Sequence, residues 1–287
     1  ESLSIAVHTQ ALRSPMDPVV RLLDASGSLL TESDDDQLGP DCAFSYRFEA
    51  AGDCLVEIHD SRNSASGAPY QLRIGDFPVA QQAYPPSVAA GATTTVAVLD
   101  RSGQRLFDQA IVLPAGRNEV VQVTARAAEG HSASWLPVWR SQLPQYIETV
   151  QGESAAESAQ QHQQQQPPLS IPVGISGRLE KPSEVDSYRL LSTKGQAIRV
   201  TVHTRSVGSA TLLKMQLFTA ADALIAETKV SEADEWSLEA VLQEDGEVRL
   251  QVTDLLQRGG AKYTYALEIA PASTFAVALK ADAAQGE

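Results

Sequence analysis

The sequence predicts an all-β protein in which two related β-sandwich modules flank a smaller β domain, and two patterns predict this class. The chain repeats itself at a shift of 195 residues, so that Leu3–Thr9 aligns with Ile198–Thr204 and Arg21–Leu30 with Gln216–Ile225. In the matched stretches apolar residues alternate with polar ones, as in half-buried strands, and helix signals are thin throughout. A period this long indicates a duplicated domain, because solenoid repeats run at roughly 20–50 residues.

The predicted domain organisation follows the repeat and the local composition. Between the two copies, alternation in Thr94–Leu99 and Glu119–Ala125 with a turn at Asp100–Gly103 predicts a small β-sandwich. Residues 151–168 are Gln-rich without apolar periodicity, so a flexible linker is favoured over strand pairing in an aggregate. The predicted segments are a first module over 1–79, a middle module over 80–148, a linker over 149–169, a second module over 170–272, and a tail or the start of a further segment over 273–287.

The second copy carries a segment that has no counterpart in the first. Residues Gly177–Leu190 predict two short strands around a Pro turn, and they precede the strand that aligns with Leu3–Thr9. We therefore expect the opening strands of the first module to lie upstream of residue 1 or to be absent.

The overall charge limits the possible partners. Acidic residues outnumber basic ones 36 to 22, which gives a formal net charge of −14. Such a surface repels polyanions, so no nucleic-acid partner is expected. No apolar run approaches the roughly 20 residues of a membrane helix, so no membrane span is predicted in this chain.

Several stretches occur in the order typical of one bacterial family. In the first copy these are Ser14–Gly27, Asp34–Asp36, Tyr46–Phe48 and Ala51–Asp60, and in the second copy Gly177–Pro182 and Val185–Arg189. Together they resemble the bacterial pre-peptidase C-terminal domain, in the form common in large extracytoplasmic proteins of planctomycete-type bacteria. Residues 80–148 resemble the immunoglobulin-like spacer often found between such modules.

The resemblance implies two jelly-roll-like β-sandwich modules flanking a smaller immunoglobulin-like β domain. It also implies an extracytoplasmic location, either secreted, periplasmic or at the cell surface. We therefore expect a non-catalytic accessory, binding or spacer region of a larger bacterial protein, whose partner is a protein or polysaccharide at the cell surface. The alternative is a substrate-presenting accessory region of a secreted peptidase or other hydrolase, stabilised by calcium.

The sequence contains no recognisable catalytic motif. Gly130–Ser134 comes closest to a Gly-x-Ser-x-Gly elbow but ends in Ser, and neither a His-Glu-x-x-His helix, a phosphate-binding glycine loop nor a Cys-x-x-Cys occurs. His8 and His203 share one repeat position at a strand end, where a structural role is favoured over acid–base work. The sequence therefore predicts a protein that is not an enzyme.

Aspartates of the first copy are the local candidate for a metal site. Four lie within eight residues and three more can approach from neighbouring loops: Asp34, Asp35, Asp36 and Asp41, then Asp17, Asp24 and Asp60. Calcium takes six to eight oxygens from carboxylates and carbonyls, so these residues are suitable ligands. The spacing is not that of a known calcium loop, and a solvated turn is the second interpretation. The second copy has Leu212 and Thr219 in place of Asp17 and Asp24, so it is not expected to share such a site.

The two cysteines also allow two interpretations. In an exported protein Cys42 and Cys54 are close enough in sequence to suggest a disulfide. A hairpin that turns at Ala51–Gly52 would instead place Cys54 opposite Glu49 and leave Cys42 near the far end of its strand. Two separately buried thiols would then result.

Trp135 and Trp139 lie four residues apart, which puts both on one face of a strand. Exposed aromatic side chains would indicate a sugar-binding face. Packing in the core of the middle module is the favoured interpretation.

Overall fold

The structure is a computed structural model that describes residues 2–35, 41–63, 67–128, 130–148, 167–231 and 235–272. These residues form 21 strands in six sheets and two short 3-10 turns, and they contain no α-helix. The predicted all-β class is confirmed. Within the same ranges, no helix has the length and apolar character needed to cross a membrane.

The first module is a sandwich of two three-stranded sheets. Its strands are β1 (Ser2–His8), β2 (Pro18–Asp24), β3 (Leu29–Ser33), β4 (Cys42–Arg47), β5 (Cys54–Asp60) and β6 (Gln71–Gly75). One sheet has the order β4-β1-β6 and the other β3-β2-β5. Alternation along the strands places Ile5, Val7, Val20, Leu22 and Cys42 in the core between the sheets.

The middle module is a smaller sandwich, again of two three-stranded sheets. Its strands are β7 (Gln82–Tyr84), β8 (Ser87–Ala89), β9 (Thr93–Leu99), β10 (Arg105–Val112), β11 (Glu119–Ala127) and β12 (Gly130–Ser141). The sheet orders are β10-β9-β7 and β11-β12-β8. Val96, Ile111 and Val138 are among the buried residues that join the two sheets.

The second module has a five-stranded and a four-stranded sheet, in the orders β13-β14-β21-β16-β19 and β15-β20-β17-β18. Its strands are β13 (Gln145–Ile147), β14 (Val173–Arg178), β15 (Asp186–Ser192), β16 (Ala197–His203), β17 (Leu213–Thr219), β18 (Leu224–Glu227), β19 (Ser237–Val241), β20 (Gly246–Asp254) and β21 (Thr264–Pro271). Its core is the largest of the molecule.

Two pairings cross the predicted boundaries of the linker. β13 belongs by sequence to the range predicted for the middle module, yet it pairs in parallel with β14. Leu169, within the range predicted for the linker, forms a bridge with Leu190 of β15. Both sides of the Gln-rich segment are therefore hydrogen bonded to the second module.

Six strands recur in the same order and with the same pairing in the first and second modules. β16 to β21 take the places of β1 to β6, and a 3-10 turn follows the first strand in each case, at Gln10–Leu12 and Arg205–Val207. The second module differs by adding β14 beside β21 and β15 beside β20. In the described residues of the first module, β6 and β5 end their sheets instead.

The hairpin predicted around Ala51–Gly52 is wrong. β4 pairs with β1, whereas β5 pairs with β2 in the opposite sheet, so the chain crosses between sheets after Arg47. A short Gly-containing connection fits such a crossing as well as a hairpin, and only the long-range partners of the two strands decide between them.

Candidate functional site

Three carboxylates of the first module converge where β2 begins and β3 ends. Asp17 immediately precedes β2, while Asp34 and Asp35 follow β3, its antiparallel neighbour. One carboxylate oxygen from each residue lies within 4.8 Å of the other two. This acidic group, defined by Asp17, Asp34 and Asp35, offers three hard oxygen ligands of the kind that Ca²⁺ takes.

Asp17 is the most enclosed member of the acidic group. Its Oδ2 accepts hydrogen bonds from Ser61 Oγ (2.7 Å) and Arg62 Nε (3.0 Å), and these donors, Ser61 above all, lower the pKa of Asp17. Its Oδ1 is buried and receives no N–H or hydroxyl hydrogen bond from the described residues. The pKa of Asp35 is raised, first by burial and then by its contact with Asp17. A proton held between these carboxyls relieves their repulsion, and a bound cation would do the same.

Asp41, a predicted ligand, lies outside the acidic group and binds backbone next to β1. Its Oδ1 accepts hydrogen bonds from the N–H groups of Thr9 (2.7 Å) and Gln10 (2.9 Å), and its Oδ2 lies 3.4 Å from His8 Nδ1. Burial opposes ionisation of this carboxyl, but the hydrogen bonds outweigh it and lower the pKa of Asp41 to about 2.

Glu235 occupies the place of Asp41 in the second module. Its Oε1 accepts hydrogen bonds from the N–H groups of Thr204 (2.6 Å) and Ser206 (2.9 Å), which follow the equivalent strand. One carboxylate thus satisfies the same turn in both modules. This recurrent function is structural and separate from the acidic group, which Asp41 does not join.

Asp60 is a second predicted ligand with an equivalent in the second module. Asp60 Oδ1 accepts the N–H of Asp17, and Asp254 Oδ2 accepts the N–H of Leu212, both at 2.9 Å. Asp254 additionally forms an ion pair with Arg258. The carboxylate of Asp60 therefore positions the backbone of Asp17 and does not join the acidic group.

Asp24 and Asp36 complete the predicted ligand set. Asp24 Oδ1 accepts the N–H groups of Ser26 and Ser28, both at 2.8 Å, and so closes its own turn. Asp100 makes the same contacts in a turn of the middle module. Asp36 lies outside the residues that the structure describes.

A stacked pair of rings joins the middle and second modules. The rings of Trp139 on β12 and His203 at the end of β16 have centroids 3.6 Å apart and are inclined by 19°. Only 6% of His203 is exposed, and this burial lowers its pKa, with Glu235 and Glu268 acting in the opposite direction. The sequence placed His203 at a strand end in a structural role but gave no sign of its ring partner.

Hydrogen bonds also join the middle and second modules. Glu268 of the second module accepts hydrogen bonds from Asn118 Nδ2 (3.0 Å) and from Ser141 Oγ (2.5 Å) of the middle module. Thr264 Oγ1 donates to Gln82 Oε1 at 3.2 Å, and this contact is buried. The interface is therefore both packed and hydrogen bonded.

The prediction that Trp135 and Trp139 pack in the core of the middle module is wrong. Leu136 and Val138 occupy the inner face of β12, 1% and 0% exposed, so the alternate positions face outwards. Trp135 is 63% exposed, and Trp139 is covered by His203 of the second module. The alternation of Leu136 and Val138 with the tryptophans is the signal in the sequence that identifies the outer face.

Cys42 and Cys54 are free thiols. They belong to β4 and β5, which lie in different sheets, and both contact the core of the first module. Burial above all, with the charge of Asp41 adding to it, raises the pKa of Cys42 to about 12. This thiol is therefore neutral and unreactive in the folded protein.

Comparison with known proteins gives similarities among solved structures only. No protein-family model matches the chain, and no curated protein matches it in sequence. The pre-peptidase C-terminal domain of a Bacillus anthracis collagenase is similar over 36% of this chain and 97% of that chain, with 16% identity and a TM-score of 0.30.

Two further similar structures contain carbohydrate-binding modules. One is a Clostridium perfringens structure of an M60 catalytic domain with two CBM51 domains. The similarity covers 95% of this chain and 32% of that chain, with 12% identity and a TM-score of 0.25. Carbohydrate-binding modules of the β-sandwich superfamily are 11% identical over 91% of this chain and 86% of theirs, with a TM-score of 0.23. Similarities of this size assign no ligand to this chain.

Proposed function

We propose that this chain is a non-catalytic accessory region of a larger secreted or cell-surface bacterial protein, in which three β modules form a stiff spacer. The observation that carries the proposal is that side chains of both neighbouring modules hydrogen bond to or pack against the middle module. Modules joined only by flexible connections would not keep a fixed separation, whereas packed and hydrogen-bonded interfaces restrict their relative motion.

The contact between the first and middle modules centres on Phe77, which is 5% exposed. Ser4 Oγ of β1 donates to the backbone carbonyl of Phe77 at 2.6 Å, and the Arg73 guanidinium lies 4.0 Å from the centre of its ring. The same guanidinium donates to the carbonyls of His131 (2.6 Å) and Ser132 (3.0 Å) on β12. One arginine thus links β6, Phe77 and the middle module.

The contact between the middle and second modules includes a close backbone approach. A Cβ atom at Gly103 would lie 2.3 Å from the carbonyl carbon of Ala261, so only glycine fits there. This approach adds to the ring stack of Trp139 on His203 and to the hydrogen bonds of Glu268. Because the three contacts lie on different strands and turns, they resist rotation as well as separation.

Small-angle X-ray scattering of the full chain tests the spacer. We expect one elongated shape for the native protein, a larger radius of gyration for Trp139→Ala, and no change for the matched control Trp135→Ala, whose side chain is 63% exposed. Native scattering that fits freely jointed modules would contradict the proposal.

We further propose that the first and second modules are duplicated pre-peptidase C-terminal domains of an extracytoplasmic protein. The repeated strand order and the paired carboxylates Asp41 with Glu235 and Asp60 with Asp254 support duplication. An experimental structure in which β1–β6 and β16–β21 differ in topology would refute it. Fractionation of the native cells, with the protein found in the cytoplasm, would refute the location.

A polysaccharide or protein at the cell surface is the proposed partner. The supporting observation is the exposed Trp135 on the outer face of β12, since an aromatic ring on an open sheet face can stack on a sugar. Retention on insoluble polysaccharides should be lost in Trp135→Ala and kept in the control Leu106→Ala, another exposed apolar residue of the middle module. Retention on denatured protein substrates instead would favour the alternative, a substrate-presenting region of a peptidase.

The proposal includes the absence of enzymatic activity. The purified chain should not hydrolyse peptide, ester or glycosidic substrates. Turnover that survives repurification and is lost on changing one residue would show that the protein is an enzyme.

Calcium stabilisation of the first module is proposed on the basis of the acidic group. At a calcium concentration about 100 times the dissociation constant, a site present only in the folded state adds roughly 2.7 kcal/mol. Calorimetry with calcium against chelator should therefore shift the first-module transition and leave the second module unchanged. No shift, or an equal shift after Asp34, Asp35 and Asp36 are replaced by Ser, would support the solvated turn instead.

A further inference from the structure

The outer face of the sheet formed by β11 and β12 is covered at one end and open at the other. Leu136 and Val138 point into the middle module, so Trp135 and Trp139 point outwards on one side of β12. Trp139 is covered by His203 of the second module, whereas Trp135 is 63% exposed. The open end of this face therefore presents an aromatic ring to solvent.

Polar side chains lie beside the exposed ring. Thr124 of β11 lies directly opposite Trp135, and Arg126 lies opposite His131. Gln122 and Arg126 are at alternate positions on either side of Thr124, so all three side chains share the face of the ring. Diagonal neighbours on adjacent strands are within reach of aromatic and long side chains. The Trp135 face, defined by Gln122, Thr124, Arg126, His131 and Trp135, thus combines one ring with several hydrogen-bonding groups.

A β-bulge fixes the backbone next to Trp135. Residues 132–134 of β12 lie opposite a single residue of β11, and bulges of this kind redirect the side chains beside them. Ser132 Oγ within the bulge accepts the N–H of Ala80 at 3.1 Å, and Arg73 of the first module donates to the Ser132 carbonyl at 3.0 Å. The face is therefore formed before a ligand arrives, which lowers the entropy cost of binding.

Arg126 differs from the other arginines of the middle module in its contacts. Among the residues that the structure describes, only its backbone N–H is engaged, as a donor to Gln109 Oε1, and its guanidinium has no hydrogen-bond or ion-pair partner. The guanidinium of each of the others binds a carboxylate or a backbone carbonyl: Arg101, Arg105, Arg117 and Arg140. A planar guanidinium matches a carboxylate with two parallel hydrogen bonds. An anionic group of a ligand would supply the missing partner.

The local charge is compatible with such a ligand, although the whole chain is acidic. Residues 80–148 contain five arginines, no lysine and five acidic residues, so the net charge of −14 lies in the other segments. None of the residues that define the Trp135 face is acidic. Screening over roughly 8 Å at physiological ionic strength limits repulsion from the flanking modules.

We propose that the Trp135 face binds a polysaccharide that contains uronic acid residues. Trp135 stacks on one sugar ring, Arg126 binds the carboxylate of an adjoining sugar, and the side chains of Gln122 and Thr124 hydrogen bond to hydroxyl groups. The inference rests on the polysaccharide partner proposed above and adds the chemical class of its sugars. A protein partner would favour a more continuous apolar surface than one ring among polar side chains.

Affinity electrophoresis of the full chain in native gels tests the proposal. The gels contain polygalacturonate, alginate or hyaluronan, and methyl-esterified pectin is the matched neutral polymer for polygalacturonate. A chelator is present throughout, so that calcium cannot bridge the acidic group of the first module to the polymer. We expect at least one of the uronic acid polymers to retard the chain, less strongly at high salt, and the esterified pectin to bind about tenfold more weakly than polygalacturonate.

Variants of the chain locate the site. Arg126→Gln should weaken binding of the uronic acid polymer by about tenfold, and Trp135→Ala should abolish retardation. The matched control is Arg117→Gln, which removes another exposed arginine of the middle module and should bind like the native chain. An unchanged melting temperature in each variant confirms that the fold is intact.

Four outcomes would overturn the uronic acid assignment. They are no retardation by any of the three acidic polymers, equal binding of polygalacturonate and esterified pectin, unchanged affinity in Arg126→Gln, and an equal loss in Arg117→Gln. If the chain is nevertheless retained on neutral insoluble polysaccharides, and this retention requires Trp135, the proposed function stands and only the present inference fails.

Discussion

The first and second modules have the same six strands in the same pairing, yet they bury them to different extents. Ile74 and Ile269 occupy one equivalent position and are 48% and 0% exposed. The alternating pattern decides which face of a sheet a residue takes, and in this respect the modules agree. Whether that face is covered depends on β14 and β15, which are encoded outside the shared strands.

Other features are equal in both modules. Asp41 and Glu235 accept the N–H groups of the turn after the first strand, and Asp60 and Asp254 accept the N–H before β2 and β17. These contacts form within the shared strands and turns, so they do not depend on β14 and β15. The two modules therefore share these hydrogen bonds and differ in whether further strands cover their apolar inner faces.

The largest expected effect comes from truncating the equivalent isoleucines. Ile269→Ala should cost roughly 2–5 kcal/mol of unfolding free energy, because it leaves a cavity in a closed core. Ile74→Ala should cost about 1 kcal/mol, since this side chain is already half in solvent. Calorimetry that resolves the transitions of the two modules measures both losses of unfolding free energy. Equal losses would contradict the statement that Ile269 is buried and Ile74 is exposed.

A pair of glycine substitutions separates turn strain from contact between modules. Gly103 and Gly27 occupy matching turns with φ of +88° and +85°, so alanine should cost roughly 1–2 kcal/mol at either position. Gly27 has nothing within 4 Å of an added Cβ, whereas at Gly103 the Cβ would overlap Ala261. We expect Gly103→Ala to lose a further 1–3 kcal/mol or so in denaturant unfolding. Equal effects would show that the close approach of Gly103 to Ala261 does not contribute to the contact between the middle and second modules.

Acid should weaken the first module through Asp41. The pKa of Asp41 in the folded protein, about 2, lies below its ordinary value, so its contribution is complete above pH 4 and is lost as the pH falls towards 2. Allowing for partial exposure, we expect about 1–2 kcal/mol. In Asp41→Asn, urea unfolding of the first module should lose this part of its pH dependence; an unchanged slope would contradict the assignment.

The smallest expected effect concerns His203. Because burial lowers its pKa, the unfolded state binds more protons below the ordinary histidine pKa, and stability should fall as the pH drops from 7 to 5. His203→Gln should remove this dependence from the second-module transition, and substitution of the equivalent His8 should not. Loss of the dependence in the His8 variant alone would assign the effect to the first module.

Much of the local structure is predictable from the sequence. Alternation in Thr94–Leu99 and the turn at Asp100–Gly103 correspond to β9 and the turn that follows it. The partners of β4 and β5 were not predictable, because a connection of a few residues serves a hairpin and a crossing between sheets equally well. Pairing between distant strands is decided by which apolar faces meet.

The sequence predicted the region of the candidate metal site but not which aspartates come together there. Of the seven aspartates, Asp17, Asp34 and Asp35 lie together in the structure. Three others, Asp24, Asp41 and Asp60, accept hydrogen bonds from backbone N–H groups. Comparing the repeats identifies some of the latter, since Asp60 aligns with Asp254. Charge density alone does not distinguish a carboxylate that holds a turn from one that faces a neighbouring carboxylate.

The pairing of β13 with β14 gives the Gln-rich segment an unusual place in the chain. Gln145–Ile147 before it and Leu169 after it are both hydrogen bonded to the second module. Cleavage between residues 148 and 167 would therefore cut the polypeptide while β13 and Leu169 keep their hydrogen bonds to the second module. The two pieces would remain associated through the β13–β14 pair and the stack of Trp139 on His203. Their dissociation constant would give the strength of the interface between the middle and second modules, which cannot be measured while the chain is intact.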